Sequence, residues 1–232
     1  MNAIGFGHAT VLSINIGAGR EAPFEGPRKT TGIDKRPARA AVTVARYGFT
    51  GDEQVDTVHH GGLDQAVYAY AAEDLAWWSA QLDREMKHGV FGENLTLSGL
   101  DVNGALIGDC WRVGTALLQI TSPRIPCRMF AGWMAEEHWM KRFADADRPG
   151  AYLRVLEPGR IAPGDTVEVV DRTTPSVTVA QCLRAYYGDW DLLPALIDAP
   201  GIAARWSAMA KTRQATGTAC RLPDNPVSSA DG

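Results

Sequence analysis

The 232-residue sequence predicts a mixed α/β fold, with a β-barrel-rich part over residues 1–172 and a small all-α unit of three helices over 173–220. Three observations carry this. Residues 1–172 hold a series of short apolar runs, β-branched or alternating, punctuated by glycine. Two of the runs follow a Gly-Asp turn, Ile107-Gly-Asp109 and Pro163-Gly-Asp165, and regular short strands between such turns suit a closed or nearly closed barrel. After Asp171-Arg-Thr-Thr-Pro175 the apolar spacing changes from strand-like to helix-like.

In order, strands are expected at Val11–Ile16, Ala41–Ala45, Gln65–Tyr70, Asn94–Leu97, Asp109–Val113, Thr115–Thr121, Ala151–Leu156 and Thr166–Val170. A helix over Glu73–Leu82 places Leu75, Trp78 and Leu82 on one face. A second helix follows Cys127, with Met129, Trp133 and Met134 inward, and Glu136–Phe143 continues it. In the C-terminal unit, Thr178–Tyr187 carries Val179, Cys182, Leu183 and Tyr186 at helical spacing. Asp189 or Asp191 caps a short helix bearing Leu192, Leu193 and Leu196. Pro200 marks the start of the last helix, whose apolar side holds Trp206 and Met209. From Arg221 onward, two prolines and Ser-Ser-Ala-Asp-Gly read as a disordered tail over 221–232.

Composition narrows the function. The net charge of −4 gives no basic footprint for nucleic acid, and residues 173–232 balance five Lys+Arg against five Asp, so the helical unit is not expected to bind DNA. It is expected instead to pack on the barrel or to mediate a homodimer. No basic, apolar leader opens the chain, and no run approaches the ~20 apolar residues of a membrane helix, so a cytoplasmic protein without membrane contact is expected. Cys110, Cys127, Cys182 and Cys220 lie far apart with no CxxC pair, which argues against a disulfide framework, a zinc ribbon or an iron–sulfur cluster.

One cysteine stands out. In Ser122-Pro-Arg-Ile-Pro-Cys-Arg128, two prolines stiffen a turn at a strand end and place Cys127 between Arg124 and Arg128. Nearby positive charge favours the thiolate, the form that attacks electrophiles or binds soft metals. Three more segments look built for a ligand. Arg28-Lys-Thr-Thr-Gly-Ile-Asp-Lys35 offers Lys29, Thr30 and Lys35 as an anion cradle, with Gly32 letting backbone amides approach. His59-His60-Gly61-Gly62 brings backbone close to a ligand. Adjacent histidines on an extended segment point to opposite sides, so one is expected to face the ligand and the other to hold the loop, rather than both ligating one metal. In Phe91-Gly-Glu-Asn-Leu95, Asn94 offers an amide that both donates and accepts. Neither a Walker loop, a dinucleotide fingerprint nor a serine nucleophile elbow is present. The set fits a large anionic ligand coming to a cysteine.

Taken together, these segments resemble the MOSC family, the domain related to the C-terminal part of molybdenum-cofactor sulfurases, and within it the stand-alone YiiM-type subgroup with a small helical domain at its end. The resemblance runs through Lys29-Thr30…Ile33…Lys35, Gly51-Asp52…Gln54…Asp56…His60-Gly61-Gly62…Ala66-Val67-Tyr68, Gly92-Glu93-Asn94-Leu95, Ile107-Gly108-Asp109, Pro123-Arg124…Pro126-Cys127 and Gly159…Gly164-Asp165. It implies a β-barrel that binds molybdenum cofactor, a pterin dithiolene with a phosphate. Cys127 would be the protein ligand to molybdenum, and Lys29, Thr30, Lys35, Arg124 and Arg128 would hold phosphate and pterin oxygens. His59, His60, Gly61, Gly62 and Asn94 would flank the pterin or the substrate channel, with His60 a proton source. The implied activity is reduction of N-hydroxylated compounds, such as hydroxylaminopurines, hydroxamic acids or amidoximes, to the amine or amidine. An external flavin or iron–sulfur donor would return the electrons. A cofactor or sulfur carrier without its own turnover uses the same site, and a hydrolase built on Cys127 and His60 ranks below both.

Overall fold

The structure, a computed structural model, describes residues 9–56 and 61–224. Its strands are β1 (Thr10–Ile16), β2 (Arg20–Glu21), β3 (Thr30–Thr31), β4 (Arg36–Pro37), β5 (Val42–Ala45), β6 (Gly48–Phe49), β7 (Val67–Ala71), β8 (Leu95–Ser98), β9 (Cys110–Val113), β10 (Ala116–Pro123), β11 (Ala151–Glu157), β12 (Gly159–Ile161) and β13 (Val167–Asp171). Its helices are α1 (Ala72–Leu82), α2 (Arg128–Met134), α3 (Trp139–Asp145), α4 (Val179–Tyr187), α5 (Leu193–Ile197) and α6 (Ala204–Thr216). The main sheet runs β13-β9-β10-β11-β7-β8-β1-β4. Its one parallel pair, β7 with β8, is bridged by α1. No helix among the described residues is long and apolar enough to cross a membrane.

The sheet does not close into the expected barrel. β8 occupies one edge of β1, and on the other edge β4 takes Asn15 and Ile16. What remains of that edge meets the end of the sheet through an isolated Thr10–Thr166 bridge, with Val11 N donating to Asp165 O (2.9 Å) and Val167 N to Ala9 O (2.8 Å). The Pro163-Gly-Asp165 turn makes that approach, its Asp165 carboxylate accepting from Ala162 N at 2.8 Å.

The alternation of β7 organises the interior. Val67, Ala69 and Ala71 face one apolar cluster, and Tyr68 and Tyr70 face another. The first cluster is aliphatic and continues without a break into Val179, Cys182, Leu196, Trp206 and Met209 of the C-terminal helices. The second is aromatic, with Trp78, Phe91, Phe130, Trp139 and Phe143 packed under α1, α2 and α3. Trp78 and Trp139 have ring centroids 4.7 Å apart, and Phe91 and Phe130 5.3 Å. β11 follows the same parity: Ala151 and Leu153 join the aliphatic side, Tyr152 the aromatic side.

Several local expectations need correction. Gln65 lies in a 3₁₀ turn, Leu63–Gln65, and the strand starts at Val67. The helix after Cys127 buries Phe130 and Met134; Trp133 packs half-buried against the same cluster, its indole donating to Val90 O (2.7 Å), whereas Met129 lies half-buried at the cleft. It does not run on through Glu136–Phe143, because Ala135 (φ 53°) and His138 (φ 56°) adopt left-handed conformations and start a separate α3. Pro200 precedes α6 by several residues, and Ala203 is its N-cap. No aspartate side chain caps the short Trp190–Leu192 turn, while Thr178 and Gln181 form a reciprocal capping box on α4. Residues 221–224 are described, and Leu222 packs against the aliphatic cluster; residues 225–232 lie outside the described residues.

The Ile107-Gly108-Asp109 turn fastens the helical unit. Asp109 accepts from Thr173 N (3.0 Å) and Leu106 N (3.2 Å). Gly108 (φ 95°) lies so close to Pro200 that a Cβ would stand 2.3 Å from the Pro200 carbonyl oxygen. Ala203 N donates to Thr121 O (3.1 Å), tying the start of α6 to β10 just before the cysteine loop.

Candidate functional site

β10 carries the chain to Pro123, paired with Ala151 of β11, and the loop then turns into α2 with Cys127 as N-cap. The Cys127 side chain makes no capping bond and faces a cleft that opens to solvent. Three further segments wall the cleft. Residues 28–35 contribute Arg28, Thr30, Thr31, Gly32, Ile33 and Lys35; residues 52–56 contribute Asp52, Gln54 and Asp56; the sheet contributes Tyr68, Asn94 and Tyr152. Gly32 permits the first two to touch, since a Cβ there would meet Glu53 O at 2.5 Å.

Arg124 dominates the floor. It is 6% exposed, its guanidinium carbon lies 4.2 Å from the Phe130 ring centroid and 5.0 Å from that of Tyr68, and its Nε has no hydrogen-bond partner. Burial opposes its charge, but Tyr152, Tyr68, Cys127 and Glu93 together hold its pKa above the ordinary value. The lining carboxylates are engaged elsewhere. Asp52 is ion-paired to Lys35 and accepts from Gly17 N (3.0 Å) and Asn94 Nδ2 (2.9 Å); Asp56 pairs with Arg28 (2.9 Å); Glu53 accepts from Gly19 N (2.8 Å). The cleft therefore presents a buried cation with an unspent donor, the arrangement that an anionic ligand completes.

Comparison with known proteins gives this geometry a family. The MOSC domain matches residues 56–168. The uncharacterized protein YflK of Bacillus subtilis is 38% identical over 187 residues, covering 81% of this chain and 85% of that protein. The chain belongs to the MOSC family. The crystal structure of YiiM from Geobacillus stearothermophilus superposes with a TM-score of 0.74 at 30% identity, covering 88% of this chain and 98% of that one. A Gibberella moniliformis protein named as a reductase is 30% identical over 163 residues, which are 68% of this chain and 29% of that protein. MOSC domains are associated with molybdenum cofactor.

Within this MOSC domain the expected site residues divide. Cys127, Arg124, Thr30, Lys35, Gly61 and Asn94 line one cleft. Lys29, Arg128 and Gly62 do not line it, and Lys29 and Arg128 are exposed. His59 and His60 lie outside the described residues. Lys35 is committed to Asp52, and burial lowers its pKa against the opposing pull of that carboxylate. Asn94 is also spent: it accepts from Tyr68 N (3.1 Å) and donates to Asp52 and to Asn15 O (3.2 Å), so it braces Asp52. Gln54 and Gln65 clamp the glycine pair, with Gly62 N donating to Gln54 Oε1 and Gly61 N to Gln65 Oε1, both at 2.9 Å. A Cβ at Gly61 (φ 130°) would meet Gln54 Oε1 at 2.6 Å.

Sequence reasoning missed Asp52, Tyr68 and Tyr152 as cleft residues. The first two sat inside the motif quoted for the family, and strand parity was the available signal for Tyr152. Beneath the cleft, Glu93 is fully buried and accepts from Gly89 N, Phe91 N (3.0 Å) and Thr96 Oγ1 (3.0 Å). Its pKa is raised to about 7 by burial, against those hydrogen bonds.

Proposed function

We propose that this protein binds molybdenum cofactor in the Cys127 cleft and reduces N-hydroxylated compounds to the corresponding amine or amidine, drawing electrons from an external flavin or iron–sulfur donor. The observation that carries the reading is the meeting of Cys127 with Arg124, a buried cation whose Nε is unspent, in the cleft of a MOSC domain. The residues present fit the group. Cys127 supplies a soft thiolate suited to a metal already held by dithiolene sulfur, and Arg124, Arg28, Thr30 and Thr31 supply donors for phosphate and pterin oxygens. When bound, the cofactor supplies two-electron redox chemistry at oxygen. The chain's own residues bind and orient: Asp52, braced by Lys35 and Asn94, fixes one wall, and the prolines around Arg124 fix the other.

The test is molybdenum and oxidised-pterin content of the wild type and of Cys127→Ala, expressed in a host that makes the cofactor, followed by turnover of an aromatic amidoxime with reduced viologen. Near-stoichiometric metal and pterin in the wild type, metal lost in the variant, and turnover by the loaded wild type are expected. Cofactor that binds and passes to an apo-acceptor without turnover would replace the reductase reading with a carrier, and neither metal nor pterin in the wild type would refute both.

A further inference from the structure

The segment between β2 and β3 reaches from one wall of the cleft to the other. The two strands form a ribbon of their own, apart from the main sheet, with Arg20 opposite Thr31 and Glu21 opposite Thr30. Ala22 N donates to Lys29 O (2.8 Å), which leaves Pro23-Phe-Glu-Gly-Pro27 as the tip. The base is fastened: Arg20 pairs with Asp34 (2.6 Å), and Gly19 N donates to the Glu53 carboxylate (2.8 Å). On its way back from the tip the ribbon supplies Arg28, Thr30 and Thr31 to the cleft.

The tip lies on α2, the helix that Cys127 opens. Met129 and Gly132 stand three residues apart on one face of that helix, and the tip meets both. A Cβ at Gly26 would come 2.9 Å from Met129 Sδ, and a Cβ at Gly132 would come 2.4, 2.8 and 3.1 Å from Cδ2, Cε2 and Cγ of Phe24. The Phe24 ring is therefore seated on the space that only a glycine leaves, and Phe24 is the one residue of the tip that is not exposed. Nothing polar reinforces this seat: among the described residues, 23–27 make no hydrogen bond or ion pair with α2. Arg28 pairs with Asp56, which ties the returning arm to residues 52–56 and not to α2.

A single half-buried ring is a small contact, so the tip belongs to the low-stability end of the molecule, from which lids are drawn. Pro23 and Pro27 each fix φ, so the tip moves as one piece about the fastened base. Lifting it would carry Arg28, Thr30 and Thr31 outward and widen the space beside Cys127 and Met129. We propose that the β2–β3 ribbon is a gate on the Cys127 cleft, latched by the Phe24 ring in its seat on Gly132, which opens to admit a ligand as large as a pterin cofactor and closes to retain it. The gate goes beyond the reductase reading, since a carrier would use it equally.

The experiment uses the full chain. Gly132→Ala is the direct probe: alanine favours the helix, so α2 keeps its shape, while the added methyl unseats Phe24. Phe24→Ala removes the latch from the other side, and Phe24 belongs to neither apolar cluster. In cofactor-free protein, mass spectrometry follows alkylation of Cys127 by iodoacetamide, a small reagent, and by fluorescein maleimide, a bulky one. Either variant should raise the rate of the bulky reagent about tenfold and leave that of the small one within about twofold, so that the change is one of access and not of thiol reactivity. The double variant should match Phe24→Ala, because one contact is lost only once. In cofactor-loaded protein, pterin should dissociate about tenfold faster from both single variants. Bulky-reagent rates that stay at the wild-type value overturn the gate, and so do effects of the two substitutions that multiply in the double variant. A wild type that never loads with pterin overturns the cofactor reading and leaves the alkylation rates to decide the gate.

Discussion

Glu93 offers a test of the site's foundation that needs no cofactor. Its carboxyl goes from 4.5 in the unfolded chain to about 7 in the fold, because burial outweighs the bonds from Gly89, Phe91 and Thr96. At about 1.4 kcal/mol per pH unit, that difference corresponds to about 3 kcal/mol. The sign follows from proton counting. Between 4.5 and about 7 the folded state holds a proton that the unfolded chain has released, so stability from this group is fully present below 4.5 and is lost as pH rises towards 7. Glu93→Gln keeps the shape but cannot ionise. Urea unfolding of both proteins, followed by fluorescence of the seven tryptophans from about pH 4.5 to 8, should show the variant gaining about 3 kcal/mol on the wild type across that range. Taking the difference cancels shifted groups that Glu93 does not influence, Asp74 and Asp147 among them. A difference that stays flat with pH would refute the reasoning, whatever the absolute stabilities.

Two further outcomes separate scaffold from ligand. Arg124→Met removes a buried charge with an unspent donor, so the cofactor-free protein should unfold within about 1 kcal/mol of wild type or above it, while molybdenum and pterin content of the loaded protein collapses; a strongly destabilised variant would make Arg124 a structural residue instead. Gly108→Ala should cost at least about 2 kcal/mol and expose residues 172–175 to limited proteolysis, because its Cβ would meet Pro200 O at 2.3 Å and its φ is 95°.

Much of the scaffold was legible because it follows period-two and period-three-to-four patterning. The strands around Val11, Thr115 and Ala151 and the helices bearing Trp78 and Cys182 fall close to where their apolar spacing places them. The breaks were not legible. Nothing in Met134-Ala-Glu-Glu-His-Trp139 announces two left-handed residues, since Ala is a strong helix former, and the fold overrides that propensity to bring Trp139 onto Trp78. Barrel closure was also beyond the pattern, because the competition of β4 for the free edge of β1 is a long-range fact about Asn15 and Pro37. In the site, Cys127 and Arg124 were readable from their run, whereas Lys35 looked like a free cation until Asp52 was seen to engage it. Asn94 looked like a ligand contact until both ends of its amide were found in the scaffold.

That last distinction explains how the cleft can keep one cation in reserve. Lys35, Asp52, Asn94 and Gly17 form a closed set in which each charge and donor has a partner, so this wall stands without a ligand. Arg124 stands on the opposite terms: Phe130 and Tyr68 shield its faces, and no described carboxylate ion-pairs with it. Its Nε remains without a partner, and an anion that satisfies it adds binding free energy that the closed wall cannot supply. A ligand present at about a hundred times its dissociation constant adds about 2.7 kcal/mol to folding stability. The expected signature is therefore a loaded protein that melts well above the cofactor-free one, with the gap closing in Arg124→Met and persisting in Lys29→Met, whose side chain lies outside the cleft. A gap in Arg124→Met as wide as in Lys29→Met would mean that the ligand does not read the buried cation.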